Sequence, residues 1–119
     1  MADKVIDAYE TILNTKPNNA NAFHYLAIAY GEQEEYDKAI VSYKKAISIE
    51  PDNASTHYNL ASAYACQNEE SSAIESLQKA ITLDRILLEY SKVDSDFDGV
   101  RKNPEFQRFI DSQQKADEV

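Results

Sequence analysis

Shifted by 34 positions, the chain lies over itself. Ala20 then meets Ala54, Leu26 meets Leu60, Ala27 meets Ala61 and Tyr30 meets Tyr64. Further along, Ala39 meets Ala73, Ile40 meets Ile74, Ala46 meets Ala80 and Ile47 meets Ile81. The register also runs backward: Ile6 pairs with Ile40, Tyr9 with Tyr43, Pro17 with Pro51 and Asn19 with Asn53. A repeat of this length restricts the fold severely. One unit is too small to bury its own apolar face, so successive units must stack on one another.

The spacing inside each unit is helical. "AFHYLAIAY" sets Phe23, Leu26, Ala27 and Tyr30 three and four residues apart, on one face. "YDKAIVSYKKAISI" does the same with Tyr36, Ile40, Tyr43 and Ile47. Alanines at 27, 39 and 46 allow close approach of neighbouring helices, and the aromatics fill what is left. Only two glycines and three prolines interrupt 119 residues. The pattern predicts helices near 4–14, 20–32, 35–49, 54–67 and 70–83. Asn19 and Asn53 suit helix caps, Pro51 a helix start, and Ser71-Ser72 the cap of the fifth helix.

These positions resemble the tetratricopeptide repeat. Phe23, Leu26, Ala27, Tyr30, Ala39, Tyr43, Ala46 and Pro51 fill its pattern in the first full unit. His57, Leu60, Ala61, Tyr64, Ala73, Leu77 and Ala80 fill it in the second. The second unit departs at His57, where a large apolar residue is usual, and at Arg85, where proline is usual. The resemblance implies an all-α fold, a short right-handed α-solenoid of antiparallel helix pairs in one domain. Residues 4–19 form a half repeat, 20–53 and 54–85 two full repeats, 86–114 a degenerate repeat with capping helices, and 115–119 a frayed tail. The half repeat lacks a first helix, so Ile6, Tyr9 and Leu13 are expected to miss part of their cover. A tolerated cap, a fragment of a longer array and contact with a second copy each account for that.

Past the repeats, "DSDFDGVRKNPE" reads D-x-D-x-D-G followed by Glu at the twelfth position. That is the calcium-loop signature of an EF-hand, with ligands at Asp94, Asp96, Asp98 and Glu105 and a sharp turn at Gly99. Arg101, Lys102 and Pro104 fit such a loop poorly, and the chain has no second loop to pair with it. The same residues also read as a closing segment. Asp94 or Ser95 caps a short helix, Asn103-Pro104 starts another near 104–114, and Phe97, Val100, Phe106, Phe109 and Ile110 cover the last repeat. This ending resembles the "D-x-D-F-x-x-x-R-x-x-P-x-F" segment found after many tetratricopeptide arrays. The closing reading leads, with calcium binding as its alternative.

A formal charge of −9 disfavours nucleic acid and anionic membranes as partners. No apolar run is long enough to span a bilayer, and one cysteine excludes an internal disulfide. The expectation is a soluble cytoplasmic protein. No phosphate-binding glycine loop, H-E-x-x-H or cysteine pair appears, so no catalytic residue, cofactor or enzyme activity is expected. His57 reads as a satisfied core histidine and Cys66 as a thiol filling a small gap.

In the resembled family, the first helix of each unit lines a concave groove that holds a segment of a partner protein. Carried over position by position, the groove is Asn21, His24, Ile28, Gly31 and Glu32, then Ser55, Tyr58, Ser62, Ala65 and Cys66. Asn59 matches one asparagine of the clamp some members use on acidic tails. His24 and Ile28 stand where that clamp needs lysine and asparagine, so a neutral or basic peptide segment is the expected partner. The leading function is a non-catalytic scaffold or co-chaperone-like adaptor. A calcium-responsive module and a self-assembling unit joined at the N-terminal edge are the alternatives.

Overall fold

The computed structural model describes residues 3–118. Seven α-helices follow one another: α1 (Lys4–Thr15), α2 (Ala20–Glu32), α3 (Tyr36–Ile49), α4 (Ala54–Cys66), α5 (Glu70–Leu83), α6 (Ile86–Val93) and α7 (Pro104–Glu118). Two 3-10 turns, Ser95–Phe97 and Val100–Lys102, join α6 to α7. No strand occurs among the described residues. The fold is an α-solenoid. α2 lies along α3 and α4 along α5, and each pair packs on its neighbour in chain order. The principal extents are 49 × 26 × 19 Å and the radius of gyration is 15.1 Å. A globular chain of this length has a radius near 13.5 Å, so the stack is elongated.

Local chemistry sets the helix ends. Asp3 Oδ1 accepts from the Val5 and Ile6 amides at 2.8 and 3.2 Å. Asn19 Oδ1 accepts from the Ala22 amide at 3.0 Å, and Asn53 Oδ1 from the Thr56 amide at 3.3 Å. At their far ends, α2 and α4 close alike. The Glu35 amide donates to the Tyr30 carbonyl at 2.9 Å and the Glu69 amide to the Tyr64 carbonyl at 3.0 Å. The residues just before, Glu34 and Asn68, both sit at φ 60°. They stand 34 positions apart and fill the left-handed slot that glycine or asparagine usually takes after a helix.

The core runs the length of the stack in three linked clusters. Ile6, Leu26 and Ala29 form the first, with Tyr9, Leu13 and Tyr30 against them. Ala27, Ala39, Tyr43 and Leu60 belong to the second. In the third, Ile74, Leu77 and Ile81 of α5 meet Leu88, Phe97, Val100, Phe106 and Ile110 from the closing segment. Phe97, Ile74, Leu77 and Ile81 have no exposed surface. Full burial of such a side chain contributes about 1.5–3 kcal/mol.

Four expectations need correction. The helix from Pro104 runs to Glu118, so residues 115–118 are helical and not a frayed tail; Val119 lies outside the described residues. Ser71 and Ser72 lie inside the first turn of α5, whose N-cap position is Glu69 with no side-chain cap. Pro51 sits in the turn before the Asn53 cap rather than in the helix. Ile6 is buried; the apolar side chains left open on α1 are Val5 (52% exposed) and Ile12 (37%). Tyr9 and Leu13 are only half-buried, in line with the expectation; Tyr9 stacks on Tyr25, ring centroids 6.0 Å apart.

Candidate functional site

A cleft of about 350 Å³ opens where α2, α3 and α4 meet. Its first wall is Ile28, Gly31 and Glu32 of α2. Asn59, Ser62, Ala63 and Cys66 of α4 form the second. The floor is Tyr36, Ala39 and Tyr43 of α3. The closing segment adds one residue, Asp96, from the first 3-10 turn. Ala39 is small enough for the helices to approach, and Tyr43 fills the space beneath.

Of the groove residues expected from sequence, the structure gathers Ile28, Gly31, Glu32, Asn59, Ser62 and Cys66 around this cleft. Asn21 and Ser55 are exposed and do not line it. His24 turns into the helix packing. Its Nδ1 shares a 2.9 Å hydrogen bond with Oγ1 of the buried Thr56, and its ring meets Tyr25 and Tyr43 edge-on. Burial lowers the His24 pKa from the usual 6.5, so the ring is held toward its neutral form.

Tyr58 belongs to the junction with the closing segment. Its hydroxyl donates to Asp94 Oδ2 at 2.7 Å, and its ring sits edge-on to Phe97 with centroids 5.3 Å apart. Burial, then the Asp94 bond, pushes its phenol well above the usual range. His57 is buried as expected, its Nε2 donating to the Pro51 carbonyl at 2.8 Å. Cys66 fills no internal gap: it is exposed at the cleft margin. Interaction with the Cys66 sulfur, then burial, raises the Tyr36 pKa. Partial burial raises the Cys66 pKa, with Asp96 and Asp94 acting in the same direction.

Tyr36, Ala39, Tyr43 and Asp96 were not expected in the cleft. Carrying over only first-helix positions excluded the α3 residues. Asp96 had a signal, because the cap uses the backbone amide of Asp96 and the side chain of Asp94, leaving the Asp96 carboxylate over.

The calcium reading meets a different geometry. Asp94 Oδ1 accepts from the Asp96 amide at 2.9 Å while Oδ2 is held by Tyr58. Asp98 pairs with Arg101. Arg101 Nη1 also donates to the Ser91 and Asp94 carbonyls at 2.9 and 2.8 Å. Gly99 has φ −69° and ψ −39°, not the backbone of a sharp loop turn. Glu105 lies exposed in the first turn of α7, its amide donating to Asn103 Oδ1 at 2.9 Å. Among the described residues, no group of three or more acidic, histidine or cysteine side chains is arranged to hold a metal ion. None of the described helices is long and apolar enough to cross a membrane.

Three family models match the chain. Two tetratricopeptide repeat models cover residues 8–41 and 54–86, and a TPR repeat model covers 29–68. No curated protein sequence matches it. Two crystal structures of MamA are similar, each with a TM-score of 0.73. They are 30% and 28% identical, over 90% and 87% of this chain. A MamA RS-1 ArsTM double mutant shares the fold at 19% identity, TM-score 0.68, over 94% of this chain. The chain spans 65%, 57% and 65% of those three, respectively. Repeats matched across residues 8–86, on an α-solenoid, carry the assignment. The chain belongs to the tetratricopeptide repeat family, whose members are typically non-catalytic protein–protein interaction modules.

Proposed function

We propose that the chain is a scaffold or adaptor that holds a partner protein by a segment seated in the cleft between α2, α3 and α4. The observation that carries this reading is the cleft itself, which mixes apolar and polar side chains from three helices. Such a mixture suits a peptide, whose side chains need apolar contact and whose backbone needs hydrogen-bonding groups. The proposed segment is neutral or basic, because the chain carries −9. A photo-crosslinking residue at Ser62 is expected to capture partner protein from the native lysate. The same residue at Val41, exposed on α3 away from the cleft, is expected to capture none. Equal capture at both positions counts against the cleft.

Self-association is a second reading, favoured by the two ends of the stack. α1 leaves Val5 and Ile12 open, and α6 leaves Ile86, Tyr90 and Val93 open at spacings of four and three. α6 of another copy offers an apolar stripe for the open side chains of α1. Light scattering across a concentration series tests this, and a constant monomer mass rules against it.

A further inference from the structure

We propose that the cleft selects a partner segment by one cationic side chain, a lysine or arginine, received between Glu32 and Asp96. This rests on the reading of the cleft as a peptide site and deepens it.

The lining contains two carboxylates and no lysine, arginine or histidine. Glu32 ends α2, and Asp96 comes from the closing segment. Neither carboxylate has a hydrogen-bond or ion-pair partner among the described residues, whereas Asp94 and Asp98 beside Asp96 are both engaged. An apolar side chain entering the cleft would strip water from two charges and return nothing. An acidic one would meet like charge. A lysine or arginine lays its methylenes on Ile28 and the Tyr36 ring and brings its charged head to the carboxylates.

Asp96 is held in place by its backbone and not by its side chain. Its amide donates to Asp94, which Tyr58 of α4 holds in turn. The closing segment therefore does more than cover the last repeat. It sets an acid at the cleft margin that the repeats do not contain.

The test uses random 12-residue peptides displayed on phage and selected on the whole chain. Cleft dependence is read from loss of binding to Asn59→Arg. Cleft-dependent peptides are expected to share one lysine or arginine. Replacing it with norleucine is expected to weaken binding about fivefold or more, and Asp96→Asn about three- to tenfold. Both effects shrink as salt rises from about 0.05 to 0.5 M. Asp96→Asn is expected to melt with the native chain, because its side chain holds nothing in the fold; Glu32→Gln gives an independent reading. Selection on the Glu32→Lys, Asp96→Lys double variant is expected to yield peptides with an aspartate or glutamate instead. Cleft-dependent peptides with no shared cation, or indifferent to both neutralising variants, overturn the cation site and leave the peptide site standing. Absence of any cleft-dependent peptide overturns both.

Discussion

The Tyr58 hydroxyl on α4 donates a 2.7 Å hydrogen bond to the Asp94 carboxylate, 36 residues away, at the start of the closing segment. The same carboxylate caps the first 3-10 turn through the Asp96 amide. One aspartate thus ties the second repeat to the piece that ends the stack. Tyr58→Phe keeps the ring on Phe97 and removes only the bond. It is expected to cost about 1 kcal/mol in urea unfolding. Amide exchange should quicken over residues 94–103 before it does in α2 and α3.

Arg101 binds two carbonyls, of Ser91 and Asp94, with one guanidinium nitrogen and Asp98 with the other. A lysine cannot reproduce that fork. Arg101→Lys is expected to destabilise by about 1–2 kcal/mol, measured by calorimetry. A melting curve unchanged from the native chain would mean that water satisfies those carbonyls equally well.

Glu34 and Asn68 hold the same left-handed turn with φ 60°. Glutamate bears a steric cost there that glycine does not. Glu34→Gly is expected to raise stability by about 1 kcal/mol, and Asn68→Gly by a few tenths. Chemical denaturation midpoints at constant slope provide the check.

His24 titrates below its ordinary pKa because burial disfavours the charged ring. The unfolded chain therefore takes up the proton first as pH falls. The contribution is whole above pH 6.5 and is lost on acidification through 6.5 toward the lowered folded value. Stability measured from pH 7.5 downward should fall less steeply in His24→Gln, which keeps a partner for Thr56. Parallel curves for the two proteins would show that His24 carries no part of the pH dependence.

Calcium added to millimolar levels is expected to leave the amide resonances of residues 94–105 in place. Asp94 and Asp98 are already committed to Tyr58 and Arg101. Saturable shifts centred on Asp94, Asp98 and Glu105 would require the closing segment to rearrange.

The repeat made most of the fold legible, because Ala27, Ala39, Ala46 and Tyr30 each recur 34 residues on. α2 and α5 begin and end at the residues their spacing indicates. Asn19 and Asn53 cap as their chemistry suggests. Two of the misreadings fall where a local signal had no copy to test it. Ser71-Ser72 has cap chemistry, yet the turn built on Asn68 puts the N-cap of α5 at Glu69, two residues before Ser71. "QQKADE" is polar, and α7 continues through it because polarity on every side does not stop a helix once Phe106 and Ile110 anchor its first turns. The cleft was half legible. Its first-helix positions follow from the register, but Tyr36 and Tyr43 look like core, and Asp96 arrives only through the path of the closing segment.

Three clusters in series give the stack a direction. α1 has α2 as its main neighbour, while α5 is covered by α4 on one side and by the closing segment on the other. Thermal opening should therefore travel like a zipper with one loose end. It starts at Lys4, moves inward helix by helix, and reaches Ile74, Leu77 and Ile81 last.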